Sequence, residues 1–193
     1  MLIGLAGCKD SGKDTAASFL VEKGYIRMAF ADQLKRAVAA LFDIKVEEVD
    51  ELKDLESLGY AAHVKIATAG MQLTMTWREF LQRFGTEMCR EVFGTDFWVD
   101  QWESQFATLA KTAALATLHD VVVSDVRFNN EAERISHLGG FVVQIKRPGH
   151  EPDGHASEEP IDQHWIDGTI HNDGSLQLLK KRVFDLEDYF RNG

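Results

Sequence analysis

Residues Leu2–Thr15 read LIGLAGCKDSGKDT, an apolar run that gives way to Gly-x-x-x-x-Gly-Lys and then to a helical pattern. Leu2–Ala6 has no polar side chain, as suits a strand covered on both faces of a parallel sheet. Gly7 and Gly12 let the next turn close so tightly that successive N–H groups face an anion. A helix starting near Gly12 adds the positive end of its dipole. Lys13 can reach the β- and γ-phosphates of a nucleotide, with Lys9, Asp10 and Ser11 completing the loop. The alternative is an ordinary glycine turn. Its position as the first strand-to-helix turn of the chain favours the phosphate site. Asp14 stands where this motif usually has Ser or Thr, so a Mg²⁺ contact falls to Asp14, to Thr15 or to water.

The remaining pattern extends this start into an α/β domain. Val121–Val126, Tyr25–Phe30, Phe141–Ile145 and, more weakly, Gly168–His171 are further buried-strand candidates, making five with Leu2–Ala6. Helical periodicity lies between them, which is the alternation of a parallel sheet covered on both faces. Gly12–Glu22, Ala31–Phe42, Val46–Leu58, Trp77–Phe93 and Asp96–Ala113 read as helices. Leu176, Leu179, Val183, Leu186 and Phe190 step by three and four through a last one, and Asn129–Leu138 forms another. Ala61–Thr76 alternates around Gly70 and is compatible with a hairpin. About 80 residues separate the second and third clear strands, too many for a simple crossover. Residues 32–113 are therefore predicted to be an all-helical insert forming a separate wall of the site, inside one domain spanning 1–193. Residues 148–160 form the one long polar loop.

Composition narrows the function. The 193 residues carry a net charge of −10, which opposes binding to polymeric DNA or RNA. Cys8 and Cys89 form no CxxC pair and read as reduced thiols. No apolar stretch approaches the ~20 residues of a membrane span. The first strand begins at once, leaving no room for a signal peptide. The expectation is a cytoplasmic protein; monomer and dimer both remain open.

Several side chains have the chemistry such a site needs. Asp125 ends the third strand, where a carboxylate can order the Mg²⁺ shell or accept a proton; the competing reading is a cap for Asn129–Leu138. Arg127 can bind two phosphate oxygens with its planar fork, or pair with Glu131. Arg83 and Arg90, seven apart, share a face if their helix is regular, and suggest a second phosphate. Their alternative, like that of Arg78, is pairing with Glu79, Glu87 and Glu91. Lys35 follows the second strand and can reach an acceptor phosphate. Trp98 can stack on a base or fill a core. His150, His155 and His164 with Asp153, Glu158 and Glu159 lack metal-ligand spacing. A loop closing over nucleotide, with Arg147 at its base as a phosphate contact, is the preferred reading. Met71, Met75 and Met88 read as core.

Taken together, SGKDT (Ser11–Thr15), FADQLK (Phe30–Lys35), LQRFGTE (Leu81–Glu87), GTDFWV (Gly94–Val99), SDVRFNNEAE (Ser124–Glu133) and HNDGSLQLL (His171–Leu179) resemble phage-type deoxynucleoside monophosphate kinases. The resemblance implies the P-loop nucleoside monophosphate kinase fold, with three layers around a central parallel five-stranded sheet. It implies that Gly7–Thr15 holds the phosphates of ATP, with Mg²⁺. It also implies that Lys35, Arg83, Thr86, Trp98, Asp125, Arg127 and Glu131 surround the deoxynucleotide, and that Asn172–Gly174 lies against the donor adenine. Phage origin would place the enzyme in the host cytoplasm. Phosphomevalonate and dephospho-coenzyme A kinases share the loop type but are not associated with the LQRFGTE and GTDFWV segments. A nucleotide switch would not need the second arginine set, and the acidic balance with no basic stripe argues against an ATPase working on a nucleic-acid polymer, as in packaging.

Overall fold

The computed structural model describes residues 1–57, 63–68, 71–113, 119–149 and 160–193. Leu2–Ala6 (β1) is buried at all five positions. It lies at the centre of a parallel sheet ordered β2-β5-β1-β6-β7, built with Ile26–Met28 (β2), Val121–Val126 (β5), Phe141–Lys146 (β6) and Gly168–His171 (β7). The strand expected over Tyr25–Phe30 lies at the edge and is shorter, since Phe30 leads directly into the helix Ala31–Phe42 (α2).

Strand alternation creates the layers. Ile3 and Leu5 point to a core shared with Ala16, Ala17, Phe19 and Leu20 of Lys13–Glu22 (α1) and with Leu179 and Val183 of Leu176–Asn192 (α8). Gly4 faces the other way, where a β-carbon would come within 2.5 Å of Ile135 in Asn129–His137 (α7). Helices thus cover both faces. Residues Ile3–Ala6 pair with Phe141–Gln144, and Ala6 is in register with Val126, so the carboxyl ends of β1, β5 and β6 lie side by side. That edge is where open parallel sheets bind ligands.

The chain divides into two compact units, Met1–Phe30 with Trp102–Gly193, and Ala31–Gln101. The second contains α2, Val46–Ser57 (α3), His63–Thr68 (β3), Met71–Thr76 (β4), Trp77–Arg83 (α4) and Glu91–Phe93 (α5). Its core joins Val38, Val49, Val64, Met75, Trp77, Phe80 and Leu81, and the Phe42 ring meets Trp77 at 5.1 Å and Phe80 at 5.3 Å. Phe97–Ala113 (α6) crosses the boundary between the units.

Two expectations for this region are corrected. The insert is not all-helical, because β3 and β4 form an antiparallel hairpin with His63 opposite Thr76 and Thr68 opposite Met71. Alternation in His63–Thr76 wins there; Gly70 lies outside the described residues. Nor is Trp77–Phe93 a regular helix, since Phe84–Arg90 forms a π-helix between α4 and α5. Each i→i+5 turn carries an extra residue, rotating the side chains beyond it by about 100° relative to an α-helix. Arg83 and Arg90 accordingly do not share an environment: the Arg83 side chain is 48% exposed and Arg90 is buried.

At the amino edge of the sheet, Glu187 is buried on the inner face of α8. It accepts hydrogen bonds from Lys23, from the Tyr25 hydroxyl at 2.9 Å and from Arg191 Nε at 2.9 Å. Arg191 also pairs with Asp120. Burial by itself would raise the Glu187 pKa, but the bonds from Lys23, Arg191 and Tyr25 outweigh it and hold the group down at about 2. Burial, and then Glu187, push the Tyr25 hydroxyl upward.

Candidate active site

The loop after β1 requires both of its glycines. Gly7 has φ +146° and Gly12 φ +103°. A β-carbon on Gly7 would lie 2.4 Å from the Ile145 carbonyl oxygen, and one on Gly12 would lie 2.5 Å from Asn172 Nδ2. Asp10 adopts φ +59° without glycine, a conformation that Asp tolerates better than most residues. The Ser11 N–H closes the turn on the Cys8 carbonyl at 3.2 Å. Helix α1 then begins at Lys13 with no side-chain cap, so its first amides remain suited to an anion.

Lys13 is buried, and its Nζ donates to the carbonyls of Gly7 at 2.6 Å and Cys8 at 2.7 Å. The ammonium therefore sits within its own loop. Ser11 is 1% exposed and its Oγ has no hydrogen-bond partner. Two neighbours brace the loop from outside: Arg147 donates to the Asp10 carbonyl at 3.2 Å and Asn172 Nδ2 to the Ser11 carbonyl at 2.9 Å. Asp14 and Lys9 are exposed and Thr15 is half-buried. Gly174 packs on Leu178 in the first turn of α8.

At the end of β5, the Asp125 carboxylate accepts the Phe30 N–H at 2.8 Å. It is thus not the cap of α7. That task belongs to Glu131, which is buried and accepts the amides of Arg127 at 2.8 Å and Phe128 at 3.2 Å. Asn129, the first residue of α7, exchanges hydrogen bonds with Asp162. The resemblance implies that Glu131 lines the deoxynucleotide; its carboxylate is occupied in fixing the turn that carries Arg127.

Within the second unit, Lys35 pairs with Asp50 at 2.8 Å and Arg83 with Glu79 at 2.9 Å. Burial of Asp50 opposes its ionisation, but Lys35 and Lys53 outweigh that and lower its pKa. Thr86 lies within the π-helix, half-buried. Trp98 is buried and its indole N–H donates to the Gly85 carbonyl at 2.9 Å. Of the two readings of Trp98, burial and this bond favour the core: the ring serves the packing of the unit. Met75 is buried as expected, whereas Met88 is 55% exposed.

The family model for deoxynucleotide monophosphate kinase matches residues 43–183. A protein of Acanthamoeba polyphaga mimivirus, provisionally named a deoxynucleotide monophosphate kinase, is 35% identical over 165 residues, covering 82% of this chain and 80% of its own. The chain belongs to the deoxynucleotide monophosphate kinase family. The deoxynucleotide monophosphate kinase of Enterobacteria phage T4 is 26% identical over 132 residues, covering 66% of this chain and 53% of the phage protein. A dephospho-CoA kinase from Campylobacter jejuni superposes with a TM-score of 0.49 at 14% identity, over 97% of this chain and 95% of its own.

A deoxynucleotide monophosphate kinase is a phosphotransferase acting on nucleotides, and the loop suits that class. Its two glycines let Ile145 and Asn172 approach the loop backbone closely, Lys13 supplies a fixed positive charge, and the unpartnered Ser11 hydroxyl can accept or donate to a bound phosphate. Among the described residues no group of three or more His, Cys, Asp or Glu is placed to hold a metal. Asp14, Thr15 and Asp125 carry oxygen donors of the kind that Mg²⁺ takes. His164 packs its ring 4.5 Å from Trp165; His150, Asp153, His155, Glu158 and Glu159 lie outside the described residues. No helix among the described residues is long and apolar enough to cross a membrane.

Sequence reasoning missed the Asn172 brace, the Phe30–Asp125 bond and the Glu131 turn. The first two join residues 161 and 95 positions apart, a separation that no local pattern encodes.

Proposed function

We propose that the chain transfers the γ-phosphoryl group of Mg·ATP to a deoxynucleoside 5′-monophosphate, yielding the deoxynucleoside diphosphate and ADP. The observation that carries this reading is the phosphate loop, with a buried lysine inside it and an uncapped helix behind it, in a chain of this family. A phosphate oxygen of the acceptor attacks the γ-phosphorus as the bond to the β–γ bridging oxygen breaks, and ADP keeps that oxygen and its electron pair. The acceptor is already ionised, so alignment and charge neutralisation replace a strong base.

Lys13 and the amides at the start of α1 would hold the donor β- and γ-phosphates. Asp14, Thr15 and Asp125 are the groups that would hold Mg²⁺ or its water, the ion supplying neutralisation of phosphate charge. Asp125, fixed by the Phe30 amide, has one defined orientation for that role. Arg127, on a turn fixed by Glu131, would bind the transferred or acceptor phosphate bidentately. Arg83 is half-exposed, so it can exchange Glu79 for the acceptor phosphate; Lys35 can exchange Asp50. Thr86 and Arg90 complete the acceptor set, while Trp98 shapes it from within the packing. Closure of residues 148–160, with Arg147 at their base, would exclude water. The substrates would be small nucleotides of an infected cell's cytoplasm, in keeping with the viral relatives.

The test is an ADP-release assay with Mg·ATP and each deoxynucleoside and ribonucleoside monophosphate in turn. Turnover with at least one deoxynucleotide is expected. Absence of transfer to all of them, with ATP still bound, would overturn the proposal.

A further inference from the structure

We infer that Asn172 is a positioning residue: it sets the Ser11–Gly12 peptide so that the Gly12 N–H is presented to a polyphosphate. The inference rests on the nucleotide-phosphate reading of the loop, and differs from a role against the donor base. Asn172 closes β7, where its own N–H donates to the Lys146 carbonyl at 2.7 Å. From that anchored backbone the carboxamide Nδ2 donates 2.9 Å to the Ser11 carbonyl. In a trans peptide the C=O and the following N–H point in opposite directions. Drawing the Ser11 oxygen toward Asn172 therefore turns the Gly12 N–H away from β7, and this amide has no partner among the described residues.

The fit between the two is close. A β-carbon on Gly12 would lie 2.5 Å from Asn172 Nδ2 and 3.5 Å from its Cγ, so the carboxamide lies directly against the Gly12 α-carbon. The same peptide borders Ser11, whose buried Oγ lacks a partner. Without the anchor, a peptide beside a φ of +103° is free to rotate, and ordering it would have to come from the ligand's own binding energy.

The experiment compares wild type with Asn172→Ala and with the uncharged, similarly sized Asn172→Leu. Mg·ATP and inorganic tripolyphosphate are the calorimetric probes, and thermal melting is the fold control. Both affinities are expected to fall by a similar factor, about 2- to 12-fold for one hydrogen bond, with melting little changed. A loss confined to ATP would overturn the inference by placing Asn172 on the base. Unchanged affinities would overturn it too, as would loss of the fold in both variants, which would make the contact a structural staple. A wild type that binds neither probe would instead defeat the phosphate-site reading itself, and this inference with it.

Discussion

Glu187 gives a prediction whose size comes from the structure. Replacing it by Gln keeps its shape but removes a charge that is 1% exposed and bonded by Lys23, Tyr25 and Arg191. The group sits at about 2 in the folded protein against 4.5 without the fold. A depressed carboxylate contributes stability that is fully present above pH 4.5 and is lost as the pH falls toward 2. Each unit corresponds to about 1.4 kcal/mol, so the full contribution is about 3 kcal/mol, of which about 2 is lost by pH 3. Urea unfolding of wild type and Glu187→Gln at pH 7 and pH 3 reads this directly. The variant should be less stable at pH 7 by about 2–3 kcal/mol, and its further loss on going to pH 3 should be about 2 kcal/mol smaller than that of wild type. Equal stability at pH 7, or the same acid loss in both proteins, would refute the reasoning.

Lys13→Ala should lower kcat/KM at least about 100-fold, since charge stabilisation at a phosphoryl group is lost, with the circular dichroism spectrum retained and stability lower by about 1–3 kcal/mol as the Gly7 and Cys8 carbonyls lose their donor; retained turnover would detach the loop from catalysis. Glu131→Ala removes the one carboxylate oxygen that accepts both the Arg127 and the Phe128 N–H. Stability should fall by about 1–3 kcal/mol and kcat should drop with it as Arg127 loses its fixed turn, whereas an unchanged kcat would leave Arg127 out of the reaction. Trp98→Phe should cost about 0.5–1.5 kcal/mol by removing the indole hydrogen bond to the Gly85 carbonyl, with little change in the ranking of bases; a reordered base preference at unchanged stability would favour the stacking role.

The central sheet is readable from sequence because its cause is local. Leu2–Ala6 and Val121–Val123 are continuous apolar runs, too short for a helix of ordinary length and suited to a strand with both faces covered. The phosphate loop is equally legible, because Gly7 and Gly12 are demanded by dihedral angles and close contacts that other residues cannot satisfy. The insert is less so. Trp77, Phe80, Leu81 and Phe84 have helical spacing, but nothing in that pattern announces i→i+5 bonding beyond Gly85 and Thr86 interrupting it, so the spacing puts on one face two arginines that the π-helix separates. For Trp98, sequence offers core and stacking alike; the hydrogen bond to Gly85 favours core. Glu187 escapes notice because a carboxylate on an amphipathic helix normally faces water, and its three partners come from α8 itself and from residues more than 160 positions away.

The most direct test of the account tracks the phosphoryl group itself. Mg·ATP labelled at the γ-phosphorus is incubated with the enzyme and single deoxynucleoside monophosphates, and the products are resolved by chromatography. The account predicts label in the β-position of a deoxynucleoside diphosphate with wild type, and its near absence with Lys13→Ala. Label appearing only as inorganic phosphate, whatever monophosphate is supplied, would contradict it.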